Sequence, residues 1–437
     1  MAIPLVYKSA LTFFRSCNIH SFIHSLRYPR SDCSKVNTRA KKKTTHAAAR
    51  RTRMAPRVIV ALGDPVTDIT HTASRDAIVA LLAPPAPATD AAAAAAAVPV
   101  EIGGCTQVTR DELARLARAI AHEARVTPGG SAANVLKGLA AIGGDASDED
   151  EDGRAVGRCV FVGGVDGSDD VGKAYRAALE RAGVEAKLIE HVNEGREIGS
   201  ARCLCLVDEF GQRTMRTYLG ASARTTAEDL PIDAFDGIDV LHMEGYVLYK
   251  PDLVKRACAL AKANPGALVS IDLASFEVVR HCRAALSEVL ESGLIDVIFC
   301  NEDEARELVS DLHDEDGANG RGAPRPSEAM ENAALDYLLR FVKVAACSRG
   351  KRGCIARSST GDIGTSVAEG VDAIDTTGAG DTFTSAFLHA YLRGGTLQQC
   401  GDAGCAAGAE IVQVSGAEMS SERWARVREK IRAIFSQ

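Results

Sequence analysis

Nowhere in its 437 residues does the chain hold an uninterrupted apolar run of the roughly 18 to 20 residues that a membrane-spanning helix needs. Its longest apolar stretches are strand-sized, so a soluble protein with no membrane partner is expected. No CxxC pair occurs among its 13 cysteines, which are scattered singly, several of them in strand-like surroundings such as Cys159, Cys300 and Cys347. That pattern points to thiols in a reducing compartment rather than to a disulfide framework. Cys203 and Cys205 lie two apart on an expected strand and share a face, which reads as two buried thiols unless other ligands converge there. No internal repeat is visible.

Acids are almost missing from residues 1–53, which contain twelve Lys or Arg, among them Lys41, Lys42, Lys43, Arg50, Arg51 and Arg53, and one acid, Asp32. The formal charge of −7 therefore divides into +11 for this segment and −18 for the rest. A body so acidic, with no basic stripe, argues against nucleic acid as a partner, because phosphate backbones are held by clustered Lys and Arg. The Arg-, Lys-, Ser- and Ala-rich start has the composition of a transit peptide, directed to a plastid or a mitochondrion. The alternatives are a disordered basic tail or translation from Met54, just before the strand-like "RVIVALGD", which would leave the protein cytoplasmic. On either reading residues 54–437 form the folded part.

From Arg57 onward, strand-like runs ("RVIVAL", "CVFVGG", "DVLHME", "ALVSIDL", "DVIFC", "VKVAACS") alternate with helix-length segments. Such alternation implies crossover connections and a mostly parallel sheet covered on both faces, an α/β fold. Three inserts interrupt it: the Ala/Pro tract Ala83 to Pro99, the acidic "DASDEDEDGR" from Asp145, and "DEDGANGRGAPRPS" from Asp314. Segments within 69–108 and 197–220, including "EIGGC" and "ARCLCLVDEFGQRTMRTYLGAS", supply extra strands without neighbouring helices. They are expected to form a small separate sheet acting as a lid. "TLQQCGDAGCAAGAEIVQ" and "SERWARVREKIRAIF" close the chain as helices, the last capped by Ser421.

The chemistry concentrates in "DTTGAGDTFTSAFLHAYL". Phe383, Ala386, Phe387, Ala390 and Tyr391 recur at helical spacing, so a helix starts near Gly380 or Asp381. Gly378, Ala379 and Gly380 then lie at its N-terminus, where unpaired N–H groups and the dipole favour an anion such as a phosphoryl group. Asp381 in the first turn is placed as a base; the plainer alternative is that it or Asp375 caps the helix. In "NEDEA", Asn301 and Glu304 stand three apart at a helix start, suited to orienting Mg2+ through its waters or simply to a solvated acidic helix end. Asp68 in "GDPVTDI" and Gly129, Gly130 and Asn134 in "PGGSAANVLKGLAAIGG" offer the acceptors and donors that vicinal sugar hydroxyls need. "GSDDVGKA" nearly spells a Walker A loop, but Ala174 replaces the hydroxyl that binds Mg2+. "GAGDTF" lacks the third glycine of a dinucleotide fingerprint.

These residues resemble the ribokinase or PfkB-type carbohydrate kinases from about Val58 to the C-terminus. "GGSAAN" matches the family's GG-x-x-x-N motif and "DTTGAGD" its D-T-x-G-A-G-D motif. "NEDE" and "SRGKRG" follow in family order, the latter with Ser348 and Arg349 in place of the usual Thr and small apolar residue. "TPGGSAANVLKGLA", "GQRTMRTYLGAS" and "MEGYVLY" are most similar to the adenosine-kinase-like subgroup. The resemblance implies a three-layer α/β sandwich with a β lid. It also implies γ-phosphoryl transfer from ATP to a hydroxyl, usually primary, of a nucleoside or sugar. Asp381 would be the base and Gly378, Ala379 and Gly380 the anion hole. Asn301 and Glu304 would organise Mg2+, and Asp68, Gly129, Gly130 and Asn134 would hold the acceptor. Ser348, Gly350 and Gly353 would line the nucleotide, the helix near Ala406 to Gln413 would flank adenine, and Asp375 would contribute to a K+ site. Arg213 and Arg216 either face the cleft or are exposed strand residues. The rival is a catalytically silent organelle structural or regulatory protein, whose mark would be loss of Asp381 or of the N-x-x-E pair. Monomer and lid-to-lid homodimer are equally compatible with the sequence.

Overall fold

A computed structural model describes residues 57–83, 102, 104–143, 156–192, 198–310 and 327–436. The basic segment 1–53, Met54, the Ala/Pro tract beyond Ala83, the acidic stretch from Asp145 and the insert from Asp314 to residue 326 lie outside the described residues. Strands in chain order are β1 (Arg57–Leu62), β2 (Thr67–Thr72), β3 (Cys105–Gln107), β4 (Arg125–Pro128), β5 (Val156–Asp166), β6 (Val184–His191) and β7 (Arg202–Val207). They continue as β8 (Arg213–Tyr218), β9 (Val240–Glu244), β10 (Leu268–Asp272), β11 (Val297–Asn301), β12 (Val344–Ser348), β13 (Cys354–Ser358) and β14 (Ile363–Ser366).

Nine of them form one sheet in the order β14-β13-β12-β11-β10-β9-β1-β5-β6. Every neighbouring pair from β12 to β6 is parallel, and only the β12–β13 and β13–β14 pairs are antiparallel. Strands so buried are apolar on both faces, which is why they read as continuous hydrophobic runs. In β11, Val297 and Phe299 join one core, and Ile298 and Cys300 the other. The first core is closed by helices Ser131–Gly143, Ala379–Leu392, Leu397–Ile411 and Ser421–Phe435. The rings of Phe299 and Phe387 meet edge to face there, 5.2 Å apart. The second core is closed by Pro251–Lys262, Arg283–Glu291, Glu302–Leu308 and Ser327–Leu338. The result is three layers, helices on a mostly parallel sheet on helices.

The other five strands form a second sheet, β3-β8-β7-β2-β4. It differs from the sequence expectation in two ways. β4 was not foreseen, and the sheet does have helices: Arg75–Leu82 and Arg110–Ala119 cover one face. Ile78, Leu113 and Leu116 pack there on Leu204 and Leu206 of β7. The period of two then turns Cys203 and Cys205 to the opposite face, toward the main sheet. Two smaller expectations are also corrected. Ser420, not Ser421, caps the last helix, its hydroxyl accepting from the Arg423 amide. The helix of the phosphate-type turn begins at Ala379, one residue before the expected start. The near-Walker stretch is an ordinary capped helix start, Asp169 accepting from the Gly172 amide at 2.7 Å.

Candidate active site

In a parallel sheet ligands bind outside the carboxyl ends of the strands, where the order of connection reverses. Here that reversal falls at β1, flanked by β5 on one side and β9 on the other. Polar residues stand at each of these ends: Asp64 just beyond β1, Glu244 ending β9, Asp272 ending β10, Asn301 ending β11 and Ser348 ending β12. All five line one cavity of about 820 Å³, roofed by residues of the second sheet that include Asp68, Cys203, Arg213 and Thr217.

Asp381 lies at the centre. Its Oδ1 accepts from the Ser131 hydroxyl at 2.7 Å and its Oδ2 from Asn134 Nδ2 at 2.9 Å. Burial pushes its carboxyl above the ordinary value, while these two donors, Arg213 and Lys137 pull it back. The alignment has a local cause. One turn beyond each partner, Gly138 faces Ser385, where a Cβ on Gly138 would lie 2.3 Å from Ser385 Oγ, so the two helices come close and bring Asn134 onto Asp381. Gly378, at φ 73°, caps the helix in the left-handed conformation, and Gly378, Ala379 and Gly380 all line the cavity. The Ala379 amide donates back to the Thr376 carbonyl at 3.2 Å, and by position the Gly380 and Asp381 amides have no intrahelical acceptor.

Asp68, on β2, has its carboxyl pushed up to about 7 by burial, against the pull of Arg213 and Lys137. Gly129 stands off the cavity wall but lets Asp68 in, since a Cβ there would lie 2.0 Å from Asp68 Oδ2. Gly130 lines the cavity. Asn134, read as an acceptor ligand, is engaged by Asp381 and by Lys137 Nζ at 3.4 Å. Arg213 faces the cavity; Arg216 does not line it and donates to the Met215 carbonyl.

A second group was not singled out from sequence. Glu244 Oε1 accepts from the Asp64 amide at 2.8 Å and Oε2 from the Ala132 amide at 2.9 Å, tying β9 to β1 and to the start of the Ser131 helix. Burial, and then the Asp64 charge, push its carboxyl up to about 8. Lys250 Nζ lies 3.1 Å from Asp64 Oδ1 and completes the cluster.

Asn301 and Glu304 meet as a reciprocal cap. Asn301 Oδ1 accepts from the Asp303 and Glu304 amides, and the Glu304 carboxylate accepts from the Asn301 amide at 2.8 Å and from Asn301 Nδ2 at 2.6 Å. Glu304 is only 1 % exposed, and burial, then the charge of Asp272, hold its carboxyl well above the usual range. Asp272, pushed up to about 6 mainly by burial, accepts from the Ala274 amide and the Thr384 hydroxyl. These oxygen donors on one wall suit a hard divalent cation that keeps its waters. Among the described residues no three His, Cys, Asp or Glu side chains converge closely enough to enclose a metal.

Of the residues expected to line a nucleotide, Ser348 and Gly350 line the cavity, whereas Gly353, Ala406 and Gln413 lie off its wall. The "SRGKRG" loop is fastened to the "NEDEA" helix start and to helix Ser327–Leu338 by Arg352, which pairs with Glu302 and Glu331. Asp375 is buried and also off the wall. Its Oδ1 accepts from the Thr377 amide and hydroxyl at 2.8 and 2.6 Å, and its Oδ2 from the Gly416 amide at 2.8 Å, bracing the turn.

The family described as pfkB family carbohydrate kinase matches residues 102–424. The chain is 29% identical over 296 residues to the ATP-dependent ribose-1-phosphate kinase of Halopiger xanaduensis, covering 67% of this chain and 83% of that protein. It is 26% identical over 307 residues to the adenosine kinase of Saccharomyces cerevisiae, covering 69% and 82% respectively. Among solved structures, adenosine kinase from Sinorhizobium meliloti matches with a TM-score of 0.69 at 22% identity, over 86% of this chain and 99% of that one, a likeness of fold. Among the described residues no helix is long and apolar enough to cross a membrane.

Proposed function

The chain belongs to the pfkB family of carbohydrate kinases, with a ribokinase-like α/β fold, and on that footing we propose that it moves the γ-phosphoryl group of ATP to a primary hydroxyl of a nucleoside or related sugar, with Asp381 as base. The observation that carries the reading is the Asp381 carboxylate, held by Ser131 and Asn134 at the start of a helix whose first residues line the same cavity. The relatives named for ribose-1-phosphate and adenosine have a ribosyl group in common, which supports a polyhydroxylated acceptor.

The acceptor lies under the second sheet with its vicinal hydroxyls toward Asp68 and the Gly130 backbone. Asp381 accepts the proton of the reacting hydroxyl as that oxygen bonds to the γ-phosphorus and the bond from phosphorus to the β,γ-bridging oxygen breaks, releasing ADP. Charge on the equatorial oxygens is met by the Gly380 and Asp381 amides and by Arg213. Burial raises the affinity of Asp381 for a proton, which suits a base working near neutrality. Mg2+ bound with the nucleotide would neutralise phosphate charge, and Asp272, Asn301 and Glu304 are the groups placed to hold its water shell. Asp375 is assigned to bracing the turn, with a K+ ion at its rim as the further reading. The basic N-terminal segment is proposed as a transit peptide.

The test is to express residues 54–437 and measure ADP release with ATP and a panel of nucleosides and free sugars. Turnover on at least one acceptor, lost by a factor of roughly 10² or more in Asp381→Asn, is expected. Full activity in that variant, or no turnover on any acceptor, would sink the reading.

A further inference from the structure

We propose that Glu277 is a positioning residue that latches the second sheet shut over the acceptor end of the cavity, an inference that rests on the kinase reading above. The outer strand of that sheet, β3, pairs in parallel with β8, Cys105 opposite Met215. Met215 donates to the Gly104 carbonyl and Val108 to the Thr217 carbonyl, so the Cys105 amide points away from the partner strand. On a bare edge such a group is left for water or for another chain. Here it donates to Glu277 Oε1 at 2.8 Å, across 172 residues of sequence and from roof to wall of the cavity.

Three further observations make this more than a chance contact. Residue 104 is glycine where a Cβ would lie 2.4 Å from Glu277 Oε1, so any side chain there would drive the carboxylate off. Glu277 is only 7 % exposed, and among the described residues its Oε2 has no hydrogen-bond partner, so the bond its carboxylate makes is the one from the Cys105 amide. The turn that delivers Glu277 is also strained. Ala274 has φ 65°, the left-handed region that a residue with a Cβ rarely adopts, and Asp272 Oδ1 holds its amide at 2.8 Å.

The latch sits at one end of a row that crosses the sheet. Cys105 Sγ lies 3.6 Å from Thr217 Oγ1, Thr217 Oγ1 donates to Cys203 Sγ at 3.2 Å, and Cys203 is registered against Asp68. Fastening β3 to Glu277 therefore fixes the far side of the sheet that carries Asp68. An acceptor meets a preset carboxylate instead of one that must be closed on it at the moment of binding. Loss of the latch falls on acceptor KM rather than on the chemical step.

The experiment compares wild type with Glu277→Ala, Glu277→Gln and Gly104→Ala. It measures amide hydrogen exchange over residues 104–108 in the unliganded protein and acceptor kinetics at saturating ATP. Exchange at Cys105 is expected to rise roughly tenfold in Glu277→Ala and Gly104→Ala. Acceptor KM should rise by a similar factor while kcat stays within about threefold. Glu277→Gln, which keeps a carbonyl acceptor for the Cys105 amide, should stay near wild type in both. Unchanged exchange in Glu277→Ala, a Gln variant as impaired as Ala, or a fall in kcat at constant KM each overturns the proposal. If Glu277→Ala does not fold, Gly104→Ala decides by the same criteria with the carboxylate still present. If wild type phosphorylates nothing, the kinase reading fails, and the exchange comparison still decides the latch.

Discussion

Asn134 and Asp381 meet at 2.9 Å across two helices, and one turn further along each the neighbours are Gly138 and Ser385. The carboxylate proposed as base is therefore aimed by a helix crossing and not by its own loop. Ser385 Oγ lies between two carbonyls there, 2.7 Å from that of Asp381 on its own helix and 3.0 Å from that of Val135 across the crossing.

Asn134→Ala should leave the fold intact and free the Asp381 side chain to rotate. A fall in kcat of roughly tenfold or more is expected, because small misplacements of a reacting group are costly. Steady-state kinetics with saturating acceptor checks it, and an unchanged kcat would show that Ser131 alone orients Asp381.

Asp68 makes stability, and on the proposed reading acceptor binding, depend on pH. Its carboxyl titrates near 7 in the fold against an ordinary 3.8, so between those values the native state keeps a proton that the unfolded chain has released. Stability from this group is complete at low pH and is lost as pH rises through about 7; Glu244, raised to about 8, adds a loss of the same sign. Asp68→Asn cannot ionise, so its melting temperature should gain on that of wild type as pH rises from 4 to 8, as followed by thermal unfolding. Acceptor KM of wild type should fall between pH 6 and pH 8 as the carboxylate forms, a trend absent from the variant.

Glu244→Ala should cost stability without touching the transferred phosphoryl group. It removes the acceptor of two amides, Asp64 and Ala132, in a dry setting. Each buried donor left unpaired costs about 1–3 kcal/mol. Denaturant unfolding should therefore show a loss of roughly 2–6 kcal/mol; a loss under about 1 kcal/mol would mean that water replaces the carboxylate.

What the sequence made legible was whatever depends on neighbours in the chain. The glycine turn, the helix behind it and the pairing of Asn301 with Glu304 are local patterns of spacing, and the β-branched runs announce a parallel sheet. Asp64, Glu244 and Asp272 escaped because a single acid after an apolar strand carries no spacing signature. The rule that ligands bind beyond the carboxyl ends of parallel strands would have marked all three, since each follows or ends such a run in "RVIVALGD", "DVLHME" and "ALVSIDL". Helix Arg110–Ala119 was readable from Thr109, Leu113 and Leu116, yet the expectation of a bare lid passed over it. Glu277 could not be foreseen at all, since its partner is a backbone amide of a strand three residues long.

The brace between Asp375 and Gly416 ties the glycine turn to a stretch 41 residues further along the chain. A growing polypeptide can complete all nine strands of the main sheet and the helix behind Asp381 while Oδ2 of Asp375 still waits for its donor. The segment that finishes the site lies beyond the helix Leu397–Ile411, which sends Val412 back to accept the Ile374 and Asp375 amides. The geometry of the Gly378–Asp381 turn thereby depends on a contact made after the sheet is complete, and a chain folded only as far as that sheet would lack the brace that holds the turn.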